Sequence, residues 1–279
     1  MTTAGDAATA LPAVSRRGTL HRNLRTIGMV WERELIRFRR SSARIITGLA
    51  QPVLFLFILG AGLSRAIGDT GAVGMEYQQY LFPGVIAMSV LFTSLFSAIS
   101  IVWDREFGFL REMLVAPVSR TALVLGKAVG GGTVSVAQGL LLLLAAPIVD
   151  VRLGLVDLVE MVGLLLLLAF SLTAFGIVIA SRMQRIESFQ VVMSLVVNPM
   201  LFLSGAIFPL TGLPDWLHWA TRLNPATYGV DPIRRVVLGD AGALTINGSV
   251  VPIWAEVLVV LALGSIMLAF AVRSFRQAE

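Results

Sequence analysis

Cysteine is absent from the 279 residues. Disulfides, thiolate metal sites and thiol catalysis are therefore excluded, while the compartment stays open. Histidine is nearly absent: His21 and His218 are the two, and the topology read below puts them on opposite sides of a membrane, which leaves no histidine-based metal centre or triad. No serine sits in a Gly-x-Ser-x-Gly elbow. Charge is scarce as well, at 14% of residues against 56% hydrophobic, whereas soluble domains carry about 25% charged residues. The first 44 residues hold nine Arg but no apolar core ahead of a small-residue cleavage site, so they do not read as a signal peptide and are expected to stay on the mature protein.

What the chain has instead is long apolar runs of the roughly 20 residues that cross a bilayer. Bounded by charge or turn residues, they predict six spans, at about 45–65, 80–103, 121–148, 158–181, 189–208 and 252–272. An even number puts both termini on one side. Of the 22 basic residues, 17 fall in the segments that share that side: the N-terminal segment, the connections between spans two and three and between four and five, and the C-terminus. Arg65, Arg152, Arg222, Arg234 and Arg235 face the other way, so both termini are expected in the cytoplasm. The net charge of +5 suits anionic headgroups at these flanks, and no nucleic-acid motif accompanies it, so nucleic acid is not an expected partner.

Two non-spanning regions carry the interest. Residues 1–19 are expected to be disordered, and 20–44 to form an amphipathic helix. On a helical wheel, Leu20, Leu24, Ile27, Trp31, Leu35 and Phe38 fall within an arc of about 80°, with Arg22, Arg25, Arg33, Arg37, Arg39 and Arg40 outside it. Such a helix lies in the membrane interface, where it either contacts a partner or only orients the first span. The linker 103–119 reads as a second short helix, with Phe107, Phe109, Leu110, Met113 and Leu114 on one face and Asp104, Arg105, Arg111 and Glu112 on the other, ended by Pro117. Glu106 falls inside the apolar arc. Either an arginine holds it, Arg33 and Arg37 being the candidates, or the helix frays and lets it reach water.

On the opposite side, 209–235 is too long for a turn, and Pro209, Pro214 and Asn224–Pro225 divide it into two short helical pieces. This is either a structural lid or a re-entrant hairpin. Asn198–Pro199 lies mid-span and predicts a kink or simple tolerance of proline. Glu160 and Glu256 read as snorkelling residues at span ends. The string around Gly126–Lys127 is not a P-loop, because Thr121 and Ala128 stand where Gly and Ser or Thr are needed. Gly126 and Gly130 suit close helix packing instead. The chain thus shows neither a nucleotide site nor a catalytic constellation.

Beyond residue 20 the chain resembles the permease subunits of type-2 ABC exporters, above all the drug-resistance (daunorubicin-type) and nodulation-type branch. The resemblance lies in WERELIRFRR before the first span, LFPGVIAMSVLFTSLFSAISIVWDREFGFLREMLVAPVSR in and after the second, FLSGAIFPLTGLPDWLHWATRLNPATYGVDPIRR, and a basic end to the last span. It implies an all-α fold over 45–279 in which two permeases of six spans, copies or relatives, bind two cytoplasmic ATPase subunits that carry ATP and Mg. No cofactor is implied on this chain, which is not itself an enzyme. By position, the resemblance places Trp31, Glu32, Arg33 and Arg37 on the interfacial helix and Asp104, Arg105, Glu106, Gly108 and Glu112 on the coupling helix. Pro214, Trp216, Asn224, Pro225 and Tyr228 fall on the outer gate.

The expected function is export of an amphipathic drug-like or lipid-linked substrate across a bacterial inner membrane. Phe55, Phe57, Phe92, Phe96, Phe202 and Phe208, with Asn198, are candidates for the cavity lining or for ordinary packing. A polysaccharide or glycolipid permease of the same fold is the nearest alternative. A secondary drug transporter is the more distant one, since it would show related halves and a mid-membrane ionisable residue.

Overall fold

In the computed structural model of the chain, residues 16–67, 77–108, 119–210, 213–239, 243–246 and 249–277 are described. Helix α1 (Arg16–Arg40) leads into a helical column of α2 (Ser42–Leu54), a π-helical turn at Phe55–Leu59, and α3 (Gly60–Ile67). Pro52 and the π turn that follows it are both recognised sources of bending. α4 (Tyr77–Ser97) and α5 (Ile99–Glu106) run end to end, and α6 (Arg120–Leu143) closes on a 3-10 turn at Ala146–Val149. α7 (Leu155–Arg182), α8 (Ile186–Leu203), α9 (Asp215–Leu223), α10 (Thr227–Leu238) and α11 (Ile253–Gln277) follow. A minimal antiparallel hairpin, β1 (Thr245–Ile246) with β2 (Ser249–Val250), sits between the last two helices.

Among the described residues, five stretches are long and apolar enough to cross a membrane: Ile45–Leu63, Tyr77–Glu106, Leu155–Arg182, Ile186–Leu203 and Ile253–Phe275. The protein is a multi-pass, largely helical membrane protein. The run expected at 121–148 corresponds to α6, whose 24 residues extend about 36 Å at ~1.5 Å per residue. Lys127, Gln138 and a set of glycines dilute its apolar character. α1, α4 and α7 all pack against it and bury most of its residues.

The core is built around α4, which is buried without interruption from Tyr80 to Leu91. A helix apolar all round belongs in such a position. α6 and α7 flank it, α11 lies along α7, and α10 reaches in between α4, α7 and α11. α1 seats on α6 through glycines: a Cβ on Gly126 would fall 2.7 Å from Val30 Cβ, and one on Gly130 would fall 2.9 Å from Glu34 Cβ. The backbones can approach this closely only because those side chains are missing.

Several expectations change. α1 begins at Arg16 instead of 20. Its predicted apolar stripe is not the face on α6: Leu24 is 59% and Trp31 38% exposed, while Thr26 and Val30 are buried. The helix is therefore rotated by roughly a quarter turn at ~100° per residue, which leaves Leu24 and Trp31 exposed and Ile27, Leu35 and Phe38 half-buried. The helix expected over 103–119 is interrupted, since α5 ends at Glu106 and Gly108 adopts φ +83°, a left-handed stop that glycine takes without strain. Residues 109–118, with Glu112, and residues 1–15 lie outside the described residues. α8 runs through Pro199 and ends at Leu203, before the expected 208. Lys127 was counted with a connection but lies within α6 and is buried, so the basic asymmetry rests on the other residues.

Candidate functional site

Three successive residues at the end of α5 tie four helices together. The Asp104 carboxylate is buried and receives Lys127 Nζ of α6 at 2.8 Å and Arg33 Nη2 of α1 at 3.4 Å. Lys127 also donates to Ser100 Oγ at 2.9 Å and lies 3.9 Å from Glu34 Oε1. Glu34 is further flanked by Arg33 at 3.5 Å and Arg37 at 3.8 Å. Arg105 Nη1 donates to the carbonyl oxygens of Ala180, Ser181 and Met183, where α7 ends. Glu106 Oε2 accepts from the Ile186 amide, the first of α8, at 2.9 Å. The signs follow the helix dipoles, with a cation on the orphan carbonyls of a C-terminus and an anion on the orphan amides of an N-terminus. Together they hold the 183–185 connection from both sides.

The arginine expected on Glu106 is therefore elsewhere. Arg33 faces Asp104 and Glu34, Arg37 faces Glu34, and Glu106 is exposed and caps a helix. The wheel that puts Glu106 in an apolar arc requires one helix through Gly108, and the helix stops before it. Trp31 Nε1 donates to Thr133 Oγ1 at 3.2 Å, while Glu32 is exposed. Lys127 and Glu34 are not among the residues the sequence points to, the lysine because it reads as part of a failed phosphate motif and as a basic residue of a connection. A cation amid glycines and apolar residues was the available signal, since such a charge needs a partner.

Beside this cluster lies a cavity of about 620 Å³ between α1, α2, α4, α5, α6 and α8. Phe38, Pro52, Phe92, Phe96, Trp103 and Ile186 give it apolar walls. Gln51, Thr93, Ser97, Gln138 and Gln190 add amides and hydroxyls to the lining, and Glu34 is its ionisable residue. Phe92 and Phe96 stack at 6.4 Å, and Phe96 meets Phe189 edge-on at 6.4 Å. Of the expected lining, Phe92 and Phe96 are here. Phe55 packs half-buried on the core, Phe208 is half-buried, and Phe202 and Asn198 are exposed; none of these four lines the cavity.

At the other end, α9 and α10 are the two predicted pieces, parted at Asn224–Pro225. Asn224 Nδ2 donates to Met200 O at 2.8 Å and Thr227 Oγ1 to Leu203 O at 3.0 Å, so the break caps the end of α8. The Tyr228 hydroxyl donates to Arg222 O at 2.8 Å. Burial pushes this phenol above its ordinary pKa, so it remains a donor. Pro214 caps α9, whose Trp216, Trp219 and Leu223 are 70%, 65% and 81% exposed. Behind α9, Arg235 of α10 bridges Asp231 at 2.7 Å and Glu256 of α11 at 3.4 Å. Arg234 lies over the Tyr80 ring at 4.7 Å and, among the described residues, has no hydrogen-bond partner. Glu256 is thus fully buried and does not snorkel, whereas Glu160 is exposed.

Known proteins share this sequence over most of its length. A protein named a transport permease, ycf38, of Cyanophora paradoxa is 32% identical over 205 residues, 73% of this chain and 71% of its own. Nodulation protein J of Rhizobium leguminosarum bv. trifolii is 31% identical over 241 residues, 84% of this chain and 86% of its own. The same-named protein of Rhizobium meliloti (strain 1021) is 30% identical over 217 residues, covering 76% and 80%. The profile of the ABC-2 type transporter family matches residues 25–238, a stretch that holds the Asp104–Glu106 clamp, the cavity and the α9–α10 break, and the chain belongs to that family as a permease.

Proposed function

We propose that the chain is the membrane half of an ATP-driven exporter of the bacterial inner membrane, with α6 as the third of six spans and both termini in the cytoplasm. Two permeases, copies or relatives, pair with two ATPase subunits that carry ATP and Mg, and hydrolysis belongs to those subunits. α1 and the segment that starts at Phe107 meet the ATPases. The substrate is an amphipathic molecule, drug-like or lipid-linked, that enters the cavity beside Phe92 and Phe96. α9 and α10 form a re-entrant hairpin that acts as the outer gate.

One observation carries this reading. Glu106, the last residue before the chain turns toward the coupling segment, bonds the first amide of α8, and Ile186 and Gln190 of α8 line the cavity. A push on the segment reaches the cavity wall through one hydrogen bond and one helix. A glycolipid is the second reading, favoured by the amides and hydroxyls in the lining of the cavity.

The test is co-purification with the Walker-motif ATPase from a neighbouring reading frame, followed by hydrolysis assays in lipid discs. We expect a stable complex whose hydrolysis rises severalfold with amphipathic compounds. Export that survives ATP depletion but collapses with the proton gradient would make the protein a secondary transporter instead.

A further inference from the structure

Gln138 sits in α6 among apolar neighbours and is 2% exposed. Its Oε1 accepts from Thr93 Oγ1 at 2.8 Å. Its Nε2 is buried and, among the described residues, has no hydrogen-bond partner. An amide nitrogen stripped of water without an acceptor is costly, and the apolar solution, a leucine of similar size, is absent. The group lines the cavity of about 620 Å³. Room for it comes from α2: a Cβ on Gly48 would fall 2.1 Å from Gln138 Nε2. The chain thus omits a side chain where this donor is housed.

The charges around the cavity narrow what it can hold. Glu34 is the ionisable residue of the lining, and Arg33, Arg37 and Lys127 stand within 3.9 Å of it, so neither an anion nor a cation finds an uncompensated opposite charge there. Thr93, Ser97, Gln51 and Gln190 add only neutral polar groups. Phe92 and Phe96, whose rings stack at 6.4 Å, supply apolar surface for the body of a ligand.

Resting on the export reading above, we infer that Gln138 is a specificity-determining residue, whose Nε2 donates to an uncharged oxygen acceptor on the substrate. The substrate class is then a neutral amphiphile, with an apolar body and a hydroxylated or carbonyl-bearing head, as opposed to an anionic phospholipid-like or a cationic one. Thr93 fixes the amide by holding Oε1, and Gly48 leaves space for Nε2.

The permease, purified with its ATPase, is tested in lipid discs with three fluorescent amphiphiles that share one dodecyl chain and differ in head: glycerol, primary amine or phosphate. The glycerol probe should bind wild type most tightly. Gln138→Leu should weaken that probe about three- to tenfold, as expected for one lost hydrogen bond, and leave the other two unchanged. Gly48→Ala should act the same way by displacing the amide, which covers the case in which Gln138→Leu misfolds. Gln138→Glu should turn the preference toward the amine probe. Tightest binding of the phosphate or the amine probe by wild type, or an unchanged glycerol affinity in both Gln138→Leu and Gly48→Ala, overturns the inference while leaving the export reading intact. If wild type binds none of the probes, the cavity is not a substrate site and both readings fall.

Discussion

Asp104 is buried between Lys127 and Arg33, while Glu106, two residues on, is exposed and holds a helix end. Their loss should therefore be felt differently. Asp104→Asn leaves the Lys127 ammonium in a nearly water-free site, and an uncompensated buried charge costs about 3–5 kcal/mol. We expect less folded protein in the membrane and a markedly lower Tm in detergent. Glu106→Gln can still accept from Ile186 but removes the anion from the start of α8, so insertion and Tm should stay near wild type while substrate-stimulated hydrolysis falls. Equal Tm in the two variants, or normal stimulation in Glu106→Gln, would refute the division. This scale was the least legible in the sequence. Periodicity shows that Asp104 and Lys127 lie on helices, but their separation of 23 positions hides that they touch.

Elements were easier to read, because proline and glycine act through the backbone itself. The breaks at Pro214 and Asn224–Pro225 fell where α9 starts and ends, and Gly126 with Gly130 marked the seam that receives α1. The sequence could not show that Asn224 and Thr227 turn back onto α8, since that depends on where the end of α8 comes to rest. α9 itself is held mainly at its C-terminal end, by the Tyr228 hydroxyl on Arg222 O and by Arg222 on Thr245 O, and its Trp216 is largely exposed. Trp216→Ala removes no core packing, and Tyr228→Phe removes one hydrogen bond. If the hairpin is a gate, both variants should insert and bind the ATPase as wild type does yet change the range of exported compounds. An unaltered range in both would reduce α9 to a lid.

At the scale of the whole molecule, the absence of cysteine makes topology directly measurable. A single cysteine at Thr3 or at Ala278 should resist an impermeant thiol reagent in intact cells, and one at Ala241 should label. Labelling at either terminal site with silence at Ala241 would invert the arrangement. The apolar helices were legible because lipid demands a long uncharged run wherever it is the neighbour. α6 departs most from that demand, with Lys127 and Gln138 inside it, because its neighbours are protein. The buried charges of α10 and α11 bear on how such a chain is made. Asp231, Arg234, Arg235 and Glu256 are all buried, and Arg235 bridges both carboxylates, but Glu256 arrives 21 residues after Arg235. Until α11 has been synthesised and laid along α7, two arginines share the single carboxylate of Asp231. This end of the bundle consequently gains its second carboxylate late in biogenesis, and α11 completes the bridge in a region made well before it.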